Sequence, residues 1–131
     1  MAATLHSGIL VYFHCAPGTG YAIGRLEQVF YRAACEVTGD PSSVYFAYPT
    51  LESEQRGDPP VAASSLLQID PITRDPLELQ RVSKLVKERH ITAALGFDQQ
   101  PGSALERVLR QAGVRTLVSY WGAPMSGHYS G

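Results

Sequence analysis

The chain has 131 residues, 44% of them hydrophobic, and 11 basic against 12 acidic side chains leave a formal charge of −1. That length supports one domain with a core of its own. The near-neutral, interspersed charge carries no electrostatic footprint for nucleic acid, so no DNA or RNA partner is expected.

Met1 to Ser7 has neither the basic start nor the apolar stretch of a signal peptide. No apolar run elsewhere approaches the roughly 20 residues of a spanning helix. A cytoplasmic protein without a transmembrane segment is expected; peripheral contact with the inner membrane would leave no such mark and stays open.

The apolar run Ile9 to Phe13 reads as a first strand, and Ala16 to Gly20 is a Pro/Gly-rich turn. Ile23, Leu26, Phe30, Ala33 and Val37 then recur at helical spacing, widened by Val29 and Ala34, with Arg25, Gln28, Arg32 and Glu36 opposite. The spacing predicts a helix from about Tyr21 to Val37, stopped by Gly39-Asp40-Pro41. Val44 to Tyr48, β-branched and aromatic, predicts a second strand ended by Pro49. Leu51 to Ser64 has no period and is long enough for a crossover between parallel strands, which takes about a dozen residues.

Leu66 to Ile69 is a short third strand. Asp75-Pro76-Leu77-Glu78 supplies an N-cap, a proline at the first helical position and an acid in the first turn, and the helix runs to about Arg89. Ile91 to Phe97 is apolar almost throughout, as a strand buried on both faces would be. Ser103-Ala104-Leu105-Glu106 is a capping box that opens a third helix, closed at Ala112-Gly113. Val114 to Tyr120 is a fifth strand, and Trp121 to Gly131 reads as a closing loop.

Strands alternating with helices imply right-handed crossovers and an α/β, doubly wound, mostly parallel five-stranded sheet in the order 3-2-1-4-5, with helices on both faces. Ligands of such sheets bind outside the carboxyl ends of the strands. The loops His14–Tyr21, Tyr48–Thr50, Asp70–Thr73, Asp98–Gly102 and Trp121–Tyr129 are therefore the candidate cleft.

The strand–glycine loop–helix opening from Gly8 to Gly24 suits an anion. Backbone N–H groups at a helix start lack intrahelical acceptors, and glycines let a phosphate approach them. Spacing alone does not separate a phosphate cradle from a plain tight turn. The loop is not a Walker A loop, because Cys15 replaces the first glycine, Tyr21 the lysine and Ala22 the hydroxyl residue. Gly18, Gly20 and Gly24 miss the dinucleotide fingerprint by one residue, and strand two ends without a ribose-binding acid. Cys15 lacks the arginine of a phosphatase loop and reads as half-buried and unreactive. Asp70 before Pro71 reads as a turn former, whereas Asp98 is the better candidate to bind or deprotonate a hydroxyl. Tyr48, Tyr120 and Trp121, at strand ends, could stack on a sugar or cover the sheet edge.

Tyr12 to Glu27, with its core His14-Cys15-Ala16-Pro17-Gly18-Thr19-Gly20-Tyr21, together with Gly96-Phe97-Asp98-Gln99 and Ser119 to Ser126, resembles the N-terminal Rossmann-like half of bacterial GT-B glycosyltransferases similar to family 4. The resemblance spans most of the chain. It implies that residues 1–131 are a single acceptor-side domain, truncated before a second Rossmann-like domain that binds the nucleotide-sugar. It further implies transfer of a sugar from a nucleotide-sugar donor to a carbohydrate or other hydroxyl acceptor, with retention and without a metal or cofactor. Gly18, Thr19, Gly20 and Tyr21 take the role of binding the donor diphosphate. Asp98, Trp121, Gly122 and Ser126 face the acceptor, joined in the cleft by His14 and Tyr48. Without its partner domain the cleft side should expose Tyr21, Tyr48 and Trp121. The alternative is a non-catalytic flavodoxin-like or nucleotide- or phosphate-binding module.

Overall fold

Short β-branched and aromatic runs alternating with capped helical stretches dictate strands linked by helices. The computed structural model describes residues 7–15, 20–51, 60–97 and 102–120. In chain order these form β1 (Gly8–Tyr12), α1 (Gly20–Thr38), β2 (Val44–Tyr48), β3 (Leu66–Gln68), α2 (Pro76–Glu88), β4 (Ile91–Phe97), α3 (Ala104–Ala112) and β5 (Thr116–Tyr120). Every neighbouring pair of strands is parallel and the order is β3-β2-β1-β4-β5. The α/β doubly wound sheet expected from the sequence is thus present, with β1 at its centre.

Two cores lie on its two faces. On one, Leu10, Tyr12, Ala47, Leu67 and Ala94 meet Val82 and Val86 of α2 and Leu105 and Leu109 of α3. On the other, Val11, Val44, Phe46 and Tyr48 meet Ala34 of α1, with Ile23, Leu26 and Phe30 packed beside it. The helix ends follow their local chemistry. Asp75 accepts from the Leu77 N–H at 3.1 Å and Ser103 from the Glu106 N–H at 3.1 Å. The Glu106 carboxylate reaches the N–H of Gly102, one residue before the position a standard capping box uses. Gly39, at φ 73°, and Gly113, at φ 122°, take the left-handed conformations that close α1 and α3.

Two features depart from the sequence reading. β5 begins at Thr116 rather than Val114, because the Val114 N–H is spent on the Leu109 carbonyl at the end of α3. The inward face of α1 is also rotated. Glu27, 2% exposed, and Ala34 are buried, whereas Val29 and Val37, assigned to the apolar stripe, are 53% and 77% exposed. Amphipathic patterning sends a glutamate to solvent, but here a buried phenol on β2 draws Glu27 inward.

Candidate functional site

At the carboxyl edge β1, β2, β4 and β5 each end in or run directly into an aromatic residue, whereas β3 ends at Gln68, and parallel register lines the aromatic residues up. Tyr48, Phe13 and Phe97 each lie one residue beyond the mutually paired Ala47, Tyr12 and Gly96, and Phe97 pairs with Tyr120. The Phe13 ring stacks on Tyr48 with centroids 4.8 Å apart and on Phe97 at 4.5 Å. Tyr120 meets Phe97 edge-on at 5.4 Å, and Phe30 of α1 closes over both. Such pairs add about 1 kcal/mol each beyond their area burial. The row forms a rigid floor where β1 hands over to α1.

The polar end of this floor is one buried contact. The Tyr48 hydroxyl donates to Glu27 Oε2 at 2.7 Å. Burial, reinforced by this hydrogen bond, pushes the Tyr48 phenol far above its ordinary range. Glu27, buried under the sheet edge, accepts the hydrogen bond of a phenol that keeps its proton, so it serves as a structural acceptor. The sequence reading gave Glu27 no role of its own. The legible signal was its helical spacing with Ile23, Tyr31 and Ala34, together with the tyrosine that ends β2.

Tyr48 therefore does not line an open cleft. It is fully buried beneath α1, and the expectation that its ring is exposed to stack on a sugar is corrected by this packing. Cys15 is half-buried against the aromatic cluster, as expected, and His14 beside it is exposed where β1 ends. Asp70 accepts from the Ile72 N–H at 3.1 Å, the turn-forming role anticipated for it. Among the described residues, exposed apolar surface on this side includes Tyr120, singled out in the sequence, and also Ile72, 81% exposed, and Leu77, 74% exposed, on the segment leaving β3. Gly20 is the first residue of α1, which places a helix start directly after the glycine loop. Gly18, Thr19, Asp98, Trp121, Gly122 and Ser126 lie outside the described residues, as does the Tyr21 side chain.

No protein-family model, curated protein or solved structure matches this chain. Its chemistry is therefore read from the site. Among the described residues no three His, Cys, Asp or Glu side chains gather as metal ligands, and no helix is long and apolar enough to cross a membrane. What the arrangement offers is a helix start on the central strand. β2 and β4 flank β1 on opposite sides, so the chain leaves it in opposite directions, the switch point where open α/β sheets form their crevice.

Proposed function

We propose that this chain is the acceptor-side Rossmann-like domain of a GT-B glycosyltransferase similar to family 4. In this reading the loop Gly18-Thr19-Gly20-Tyr21 meets the diphosphate of a nucleotide-sugar held by a second domain. Asp98 binds the incoming acceptor hydroxyl, with His14, Trp121, Gly122 and Ser126 lining its side of the cleft. The observation that carries the reading is the position of the glycine loop. It joins the central strand to the first residue of a 19-residue helix at the switch point of the sheet. There, free backbone N–H groups and the helix dipole favour a developing pyrophosphate charge. The chemistry needs no resident cofactor, the nucleotide-sugar being a substrate, and the reading carries with it the expectation of a cytoplasmic enzyme.

The rival is a non-catalytic phosphate-binding module. Its flavodoxin-like form is disfavoured, because that fold orders its strands 2-1-3-4-5 and this sheet runs 3-2-1-4-5. Titration with nucleotide-sugars and with FMN separates the readings. The chain alone is expected to turn over no nucleotide-sugar, and to support transfer once joined to a nucleotide-sugar-binding domain. Tight FMN binding with no response to any nucleotide-sugar would overturn the assignment.

A further inference from the structure

Among the described residues the two faces of the sheet are covered unequally. α2 and α3 pack on one face and α1 is the one helix on the other, with Val118 49% and Tyr120 37% exposed on β5. α1 presents Val29, Ala33 and Val37 outward at i, i+4 and i+8. Successive helical residues turn by about 100°. With Glu27 and Ala34 facing the sheet, the stripe falls on the flank of α1 that holds Phe30, and the Phe30 ring meets Tyr120 at 5.4 Å. The stripe and β5 are thus one apolar surface along one margin of the molecule. β5 is an edge strand bearing no proline, lysine or bulge, the devices that ordinarily keep an edge from pairing.

Beside the stripe, Arg32 and Glu36 are exposed, and among the described residues neither joins an ion pair. Their order, cation before anion at i,i+4, is the weaker one for pairing within a helix. Across a two-fold axis it becomes self-complementary. If a second α1 lies antiparallel with Ala33 on the axis, Val29 faces Val37 of the second copy. Arg32 then stands on the same side of the pair as Glu36 of that copy and two residues, about 3 Å, from its level, within reach of two long side chains, and the reverse pair repeats it. The small alanine at the crossing lets the helices approach closely. Because the stripe leans toward β5, the same axis brings the two β5 edges together.

We infer that this face is an interface between two copies of the chain, built on α1 against α1 and β5 beside β5. A few helical turns and a five-residue strand fall short of the roughly 800 Å² per partner of a standard interface, so the dimer is weak and reversible. The face runs along the β5 margin and reaches the carboxyl edge only at Tyr120, and Arg32, Ala33 and Glu36 lie outside the glycine loop, so the inference is tested apart from glycosyl transfer.

Sedimentation velocity over a wide range of protein concentration tests it, with thermal melts as the control for folding. Wild type shifts from monomer to dimer as concentration rises. Arg32→Glu and Glu36→Arg each weaken association about tenfold, since each places like charges together twice. The equimolar mixture of the two variants associates as a heterodimer, and the double swap restores the homodimer. Ala33→Glu, which sets a charge on the axis itself, abolishes association as an independent check. A monomer at every concentration, a dimer indifferent to these substitutions, or a mixture no tighter than either variant overturns the inference.

Discussion

The Tyr12 ring lies over Gly96, its register partner on β4, so closely that a Cβ at Gly96 would stand 2.5 Å from Tyr12 Cζ. Ala47 on β2 is the other neighbour, so the central strand carries its largest side chain on this face between two of the smallest residues. Gly96→Ala is expected to cost about 1–3 kcal/mol, because ring and strand must part to admit a methyl group. In a Tyr12→Leu background the added penalty should vanish. Denaturant unfolding of the two single variants and the double variant measures that coupling.

The Tyr12 hydroxyl is buried without a hydrogen-bond partner among the described residues. Removing an unpaired buried polar group while keeping the ring is neutral or favourable. Tyr12→Phe is therefore expected to unfold at the same denaturant concentration as wild type or a higher one. A clear loss of stability would show that the hydroxyl has a partner after all.

Tyr48→Phe should act in the opposite sense. It strips the Glu27 carboxylate of a 2.7 Å donor in a buried setting, a loss of about 1.5–3 kcal/mol for a hydrogen bond to a charged group. Equilibrium unfolding should show the two Tyr→Phe variants, alike in chemistry, moving apart in stability.

Both tyrosines also predict a response to alkali. Burial is the main cause in each case, aided by Glu106 for Tyr12 and by Glu27 for Tyr48, and both folded-state pKa values lie above the ordinary 10.0. Below about pH 10 the folded and unfolded chains hold these protons alike, and their contribution to stability is intact. Above it the unfolded chain sheds two protons that the folded chain retains, so stability falls by up to about 2.7 kcal/mol per pH unit. Phenolate absorbance for these two residues should appear only with unfolding, and Tyr12→Phe should halve the slope.

Gly20→Val tests the glycine loop. Joined to a nucleotide-sugar-binding domain, the variant is expected to transfer sugar about a hundredfold more slowly, since a β-branched side chain blocks approach to the backbone donors. Its melting temperature should stay near that of wild type. Wild-type kinetics in a folded variant would reduce the loop to a turn.

Strand order, helix caps and the switch point were legible in the sequence because each rests on local chemistry. Asp75 and Ser103 cap wherever a helix starts, and a continuously apolar stretch such as Ile91 to Phe97 has only the middle of a parallel sheet to occupy. The inward face of α1 was not legible, because Glu27 is buried by Tyr48, a partner 21 residues away that no helical period reveals. The aromatic row was spelled out at the ends of β1, β2, β4 and β5, yet it acquires meaning only once register sets Phe13 between Tyr48 and Phe97. For the same reason Tyr48, placed correctly at a strand end, was assigned to solvent when it belongs to the floor.

The central place of β1 has a further consequence, in the order of assembly. It precedes the other described strands in the chain, yet one of its two ladders is supplied by β4, where Gly8 pairs with Ile91. Parallel pairing over such a separation must close a long stretch of chain before any contact repays it, which slows folding relative to helical domains of equal size. A nascent chain that has made β1, α1 and β2 still carries an unpaired hydrophobic edge, open to other chains until β4 has left the ribosome. Yield on expression should thus depend more on growth temperature and chaperone supply than the stability of the finished sheet would indicate.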